Sequence, residues 1–278
     1  MSKAINMTGL CRRVGMSRQN YYARRKRRQK KTVDAGLVVG LVQQERLRQP
    51  RLGGRKLIKL VGRELRENRV AIGRDRFFAV LRERGLLVEP KPAVRPKTTH
   101  SRHSLPVFSN LVAKFTPTAP NQAWVSDITY IRTDEGFMYA ALITDMYSRK
   151  IVGSYLGDNL EAEGCLRALD TALADLAAGL RPIHHSDRGC QYCCHLYVER
   201  LQEVGLGISM TELAHCYENA MAERVNGILK QEYELDASFR TKEQARKAFA
   251  EAVLQYNHRR PHLSLNYRFP AEVHRQAA

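Results

Sequence analysis

The chain has 278 residues, of which 44% are hydrophobic and 27% charged, enough for a sizeable core and more than one domain. No apolar run approaches the roughly 18 residues of a membrane span, which argues against a transmembrane helix. The formal net charge of +18 is segregated: residues 1–120 hold 29 Lys/Arg against 7 Asp/Glu, a net of +22, and residues 121–278 hold 17 against 21, a net of −4. Charge serving only solubility would not need such a split, so the sequence reads as a polyanion-binding arm joined to a body with other chemistry.

The first residues, MSKAINMTGLCRR, lack the apolar core of a signal peptide, and a cytoplasmic protein without membrane partners is expected. Residues 4–14 have a short helical pattern, broken at Gly15. Ser17 caps a second helix with Arg18, Gln19 and Asn20 in its first turn. This is a helix-turn-helix-like arrangement, in which Arg18 and Gln19 face DNA. The basic run at residues 24–31, including Arg24 and Arg25, suits phosphate contact or a solvated linker and closes a first segment, 1–31.

Residues 32–88 read as a second helical module, with Leu57, Leu60, Val61 and Leu65, then Phe77, Phe78 and Leu81, at helical spacing. Arg55, Lys56, Arg74 and Arg76 are left for DNA, although a helical dimerisation unit fits the pattern as well. Residues 89–120 hold six of the ten prolines together with Lys91, Arg95, Lys97 and Arg102, and predict an extended basic linker.

From Asn121 the composition changes. Residues 123–131, 137–145 and 150–155 are β-branched and aromatic runs at hairpin spacing. A helix follows over 161–178, a short strand over 182–187, a helix over 192–204, a fifth strand over 206–210, and helices over 220–233 and 241–257. The order βββαβαβα is that of a ribonuclease-H-like α/β core, a mixed five-stranded sheet flanked by helices. Here it fills 121–278, behind the all-α N-terminal region.

In that arrangement Asp127 lies in the first strand, Asp187 at the end of the neighbouring fourth, and Glu223 in the first turn of a helix above them. Three carboxylates brought together stay ionised only with cations among them, and hard oxygen donors select Mg²⁺ or Mn²⁺. Each acid also has an ordinary reading, such as an Asx-turn between Asp187 and Gly189. His184, His185, Cys190, Cys193, Cys194 and His195 form a rival cluster, but only one Cys-x₂-Cys pair has zinc-like spacing. Trp124, three residues before Asp127, belongs on the opposite strand face, in the core.

NQAWVSDITYI, ITDMYSRKIVG, HHSDRGCQY, ENAMAERVNGILKQE and YNHRRPHLSLNYRFP, in that order, resemble the catalytic core of the retroviral-integrase superfamily. More narrowly, they resemble the second-frame transposases of the IS-three insertion-sequence family. Thirty-five residues separate Asp187 from Glu223, the spacing that names the D,D-35-E class.

The resemblance implies that Asp127, Asp187 and Glu223 are catalytic and hold two ions. It also implies that Lys230, two turns beyond Glu223, contacts DNA near the reacting phosphate. Arg259 and Arg260, beside Tyr256, Asn257, Pro261 and His262, read as backbone contacts to DNA or as packing of the tail. The chain departs from the family pattern at Glu218, Arg224 and Cys190, where Asp, Ser and Ser are usual. The expected function is metal-dependent strand cleavage and transfer on double-stranded DNA, at element ends and target. A homodimer or larger assembly is expected, with an upstream first-frame product as a possible fusion or partner. The alternatives are a DNA-binding regulator with a degenerate core and a metal nuclease that does not join strands.

Overall fold

The computed structural model describes residues 6–89, 104–212 and 219–276. They fall into two units, one running up to Leu47 and again from Gly53 to Val88, the other combining Arg48–Leu52 with the chain from Glu89 onward. No helix among the described residues is long and apolar enough to cross a membrane.

The first unit holds α1 (Met7–Arg13), α2 (Arg18–Arg46), α3 (Gly54–Glu67) and α4 (Arg74–Glu83). Gly15, at a φ of 64°, makes the turn after α1, and the Ser17 hydroxyl accepts from the Asn20 amide at 3.1 Å to cap α2. The two predicted segments on either side of residue 31 are in fact one helix, so the boundary there is wrong. The shift in composition at 31–33 introduces no breaker: Arg, Lys, Gln and Ala are strong helix formers, and Thr32 Oγ1 bonds back to Arg28 O at 3.0 Å. Val38 and Val42 of α2 are buried with Leu57, Val61 and Leu65 of α3 and Phe77, Val80 and Leu81 of α4. Gly54 starts α3 where an added Cβ would lie 2.9 Å from the Phe78 ring.

The second unit contains β1 (Ala123–Thr133), β2 (Gly136–Asp145), β3 (Ile151–Gly157), α5 (Ala162–Ala174), β4 (Ile183–Ser186), α6 (Cys190–Cys193), α7 (His195–Glu203), β5 (Gly207–Met210), α8 (Ala220–Glu232), β6 (Ser238–Phe239), α9 (Lys242–His258), a 3₁₀ turn (Leu263–Leu265) and α10 (Pro270–Gln276). The sheet order is β3-β2-β1-β4-β5, with β6 added to the far end of β1. The first three strands are antiparallel, and β1-β4 and β4-β5 are parallel. This is the expected ribonuclease-H-like sheet, with β6 and α10 in addition.

Strand alternation sorts the two cores. Ile131, Met138, Ala140 and Leu142 face α8 and α9, whereas Trp124, Ala141 and Ile143 face α5 and α7. Trp124 is fully buried and its indole N–H donates to Asn121 Oδ1 at 3.0 Å. Gly153 lets α5 press onto β3: an added Cβ would stand 2.1 Å from Ala168 O.

The predicted linker is corrected from residue 104 onward. Leu105 and Phe108 pack on the α5/α7 core, Val112 is buried, and the Leu111 amide donates to Ser209 Oγ at 2.9 Å. Residues 90–103, with Lys91, Arg95, Lys97 and Arg102, lie outside the described residues.

The closing motif is a clamp. Asn257 bonds both the N–H and the C=O of Ile151 at 2.9 Å, and the Tyr256 hydroxyl donates to Arg149 O at 3.0 Å. Arg260 is only 2% exposed and forms a two-pronged pair with Glu232 at 2.8 and 2.9 Å, so it is withdrawn from the DNA-contact set. Arg259 is half-buried, and its carbonyl accepts from Gln49 Nε2 at 3.4 Å. Gln49 in turn accepts from the Tyr233 hydroxyl at 3.0 Å, and the Arg51 amide donates to Glu232 O, so Arg48–Leu52 is built into this unit.

Candidate active site

The site forms where β1 and β4 part. β4 pairs with β1 only up to Val125, and β6 meets β1 from Arg132 onward. Between them that edge of β1 has no strand partner among the described residues, and Asp127 lies at the opening, two residues past the last β4 contact. A crevice outside the carboxyl end of a parallel strand, where the chain direction reverses across the sheet, is the usual ligand position in open α/β sheets.

Asp127 pairs with Leu142 in the β1–β2 register, so its side chain is on the α8/α9 face. It is half-buried. Oδ1 accepts from the Ile128 amide at 2.9 Å and Oδ2 from Asn226 Nδ2 at 2.7 Å. Burial first, then the charges of Asp187 and Glu223, push its pKa up to about 7, against the pull of those two hydrogen bonds.

Asp187 follows β4 by one residue. Its Oδ1 accepts from the Gly189 amide at 2.9 Å, so the predicted Asx-turn is present and fixes the carboxylate. A Cβ at Gly189 would stand 3.0 Å from that oxygen, so the glycine makes room for the acid. Glu223 lies in the first turn of α8 and is exposed, as is Arg224. Asn219 N-terminal to α8 donates from Nδ2 to Ser126 O at 2.9 Å and ties the helix start to β1.

The charges of Asp187 and then Glu223 reach Asp127, and carboxylate oxygens are hard donors of the kind a divalent cation takes. Among the described residues, no three His, Cys, Asp or Glu side chains converge closely enough to grip an ion as they stand. That holds for the Cys-His cluster too. His184 Nε2 is shared by Ser126 Oγ at 2.7 Å and the Tyr197 hydroxyl at 2.9 Å, and burial drives its pKa down to about 3. His185 Nδ1 meets Ser209 Oγ, and Cys193 packs its sulfur on Met210. Burial and then Asp187 push the Cys193 thiol up to about 11, away from the thiolate that zinc requires. Cys190 is only partly buried, and Glu218 lies outside the described residues.

Lys230 is half-buried at the end of α8, its Nζ 3.9 Å from the centroid of the Tyr130 ring. Burial lowers its pKa, against the attraction of Asp127 and Asp236. Arg18, Gln19, Arg24 and Arg25 are all exposed along the first half of α2, and Arg55 is exposed on α3. Lys56 is half-buried. Arg74 is paired with Asp75 and Arg76 with Glu83, both at the surface. Two residues at the site were missed in the sequence: Asn226, one turn beyond Glu223 on the same helix face, and Asn219. The i, i+3 spacing from Glu223 was the available signal for Asn226.

An integrase core domain family matches residues 117–216, and a second family of the same description matches residues 204–270. An uncharacterized protein of insertion element IS600 from Shigella sonnei is 39% identical over 221 residues, covering 77% of this chain and 81% of that protein. The transposase for insertion sequence element IS629, also from Shigella sonnei, is 34% identical, covering 78% and 72%. Transposase InsF for insertion sequence IS3A of Escherichia coli (strain K12) is 37% identical over 155 residues, covering 55% and 54%. Among solved structures, the HTLV-2 integrase catalytic core domain in complex with magnesium has a TM-score of 0.46 at 17% identity, covering 57% of this chain and 99% of that one.

Proposed function

Because this chain belongs to the insertion-sequence transposases of the IS-three family, with an integrase-type core, we propose that it cuts and joins DNA at the ends of such an element, using Asp127, Asp187 and Glu223 to hold divalent metal. The observation that carries this reading is geometric: Asp127 of β1 stands two residues past the last β4 pair, Asp187 follows β4 directly, and Asn226 and Asn219 tie the helix that carries Glu223 to β1. Such a site gains most from a bound cation, and the hard donors favour two ions of Mg²⁺ or Mn²⁺. When bound, such ions supply activation of an attacking oxygen and stabilisation of the leaving oxygen of a phosphodiester.

The protein's own contribution is positioning. Asn226 and the Ile128 amide fix the two oxygens of Asp127, Gly189 fixes Asp187, and Asn219 anchors the helix that carries Glu223. Lys230 binds a DNA phosphate beside the acids. The exposed cations of α2, with Arg55, Lys56, Arg74 and Arg76, hold the duplex, with an affinity that falls steeply as salt rises. Joining two ends takes at least two copies, alone or fused to an upstream first-frame product.

Asp187→Asn tests the reading. The variant is expected to bind end-containing duplex DNA as the wild type does and to lose Mg²⁺-dependent cleavage and strand transfer. Full cleavage by it overturns the assignment. Binding without cleavage by the wild type favours a regulator, and cleavage without end preference or joining favours a nuclease.

A further inference from the structure

On the far half of β1, aromatic and cationic side chains alternate at the surface, and of these the proposed chemistry uses only Lys230. Tyr130 and Phe137 meet edge to face, with ring centroids 5.5 Å apart at 87°. Phe137 is 48% exposed, at the start of β2, where burial would be the ordinary state for a phenylalanine. The Arg132 guanidinium is 5.9 Å from the Phe137 centroid, and the Lys230 ammonium is 3.9 Å from that of Tyr130. The nearest acids at the hairpin tip are occupied: Asp134 accepts from Ser238 Oγ at 3.2 Å and Glu135 from the Lys242 amide at 2.7 Å. The patch therefore presents an aromatic face flanked by two cations, of which Lys230 is also drawn to Asp127 and Asp236.

We propose that the Tyr130–Phe137 edge, flanked by Arg132 and Lys230, is a stacking surface for an unpaired DNA strand leaving the duplex next to the reacting phosphate. Aromatic faces interleaved with cations are how proteins hold single strands, because every base has a π-face and every nucleotide a phosphate. Tyr130 lies three residues from Asp127, about 10 Å along the strand and on the opposite face, so a strand running from the acids to it turns over the edge of β1 where Lys230 of α8 reaches the Tyr130 ring. That distance is about three steps of a stacked single strand. Among the described residues no strand pairs with β1 between Val125 and Arg132 on that edge, so no described strand blocks the path between them. The Tyr130 ring also holds Lys230 in place, so the tyrosine is a positioning residue for the lysine. This rests on the reading of Asp127 as part of the reacting centre.

The test uses the full chain without divalent ion, so that it does not depend on metal chemistry. The probes are an oligothymidine strand carrying one 2-aminopurine and a blunt duplex of random sequence. Wild-type protein is expected to quench the 2-aminopurine on binding. Phe137→Ala should lose the quench and bind the single strand about tenfold more weakly, the size of one lost base–aromatic stack, with duplex binding nearly unchanged. Phe137→Trp should restore both. Tyr130→Phe, which keeps the ring under Lys230, should behave as wild type, and Tyr130→Leu should not. Quench and affinity unchanged in Phe137→Ala, or an equal loss on single strand and duplex, overturns the proposal. If the stacking signature is present but wild-type protein with Mg²⁺ never cleaves, the surface stands and the transposase chemistry falls. If cleavage depends on Asp187 and the signature is missing, the reverse holds.

Discussion

Asn226 Nδ2 sits 2.7 Å from Asp127 Oδ2, and Asn226 is one helical turn beyond Glu223 on α8. One side chain therefore sets the distance between the helix bearing the third acid and the strand bearing the first. It also steadies the ionised form of Asp127, whose pKa burial and the two other acids push upward. Asn226→Ala is expected to reduce cleavage by roughly tenfold or more, as loss of a charge-assisted hydrogen bond predicts, while DNA binding is retained. Because the ionised carboxylate loses a donor, the pH at which cleavage sets in should move upward. A variant that cleaves with the wild-type rate and pH profile would remove Asn226 from the site.

The raised pKa of Asp127 makes stability depend on pH in a definite direction. The folded carboxyl titrates at about 7 and an unfolded aspartate near about 3.9. Between these values the folded state binds the extra proton, so stability is greatest below the lower value and is lost as pH rises through about 7. Metal-free protein should therefore melt at a lower temperature at pH 8 than at pH 5.5, with Asp127→Asn flattening that slope. Mg²⁺ competes with the same proton, so its addition should raise the melting temperature more at pH 8 than at pH 6. An Asp127→Asn slope equal to that of the wild type would place its origin elsewhere.

Much of the core was legible because period and punctuation agree there. Alternation located β1, β2 and β3 to within a few residues, and the sheet brings Asp127 and Asp187 to neighbouring strands as the element order implies. The N-terminal division was not legible, because a change of composition near residue 31 carries no helix breaker and α2 runs through it. For Arg260 the sequence left DNA contact and packing of the tail both open, because its partner Glu232 is 28 residues away and nothing local to the Arg-Arg-Pro run shows which arginine turns inward. Gly189 acts through a close approach and a single hydrogen bond, which leave no periodic trace, and for Asn226 only the i, i+3 spacing from Glu223 was available.

Gly153 tests the packing of α5 on β3. A Cβ there would overlap Ala168 O at 2.1 Å and press on Ala172 at 2.9 Å, and backbone cannot move aside as a flexible side chain can. Gly153→Ala is expected to lower stability by about 1–3 kcal/mol, the usual cost of overpacking, although alanine suits a strand better than glycine does. Urea denaturation with an unchanged slope and a lower midpoint is the expected result. A midpoint at or above that of the wild type would mean that α5 shifts freely.

Two groups of arginines have been separated by burial, and their variants should separate in the same way. Arg260 and Glu232 form a pair inside the second unit, with side chains 3% and 15% exposed. Arg260→Ala leaves Glu232 without its cation and should cost about 3–5 kcal/mol, while the double change Arg260→Met with Glu232→Leu should be nearly neutral. Neither should alter the salt dependence of DNA binding measured on the folded protein. Arg24→Ala with Arg25→Ala, on the exposed face of α2, should do the opposite. Melting should be unchanged, and the slope of log affinity against log salt should fall by about 1 for each phosphate contact removed. A reduced slope in the Arg260 variant at full folding would return that residue to the DNA surface. An unchanged slope in the α2 variant would take the basic helix off it.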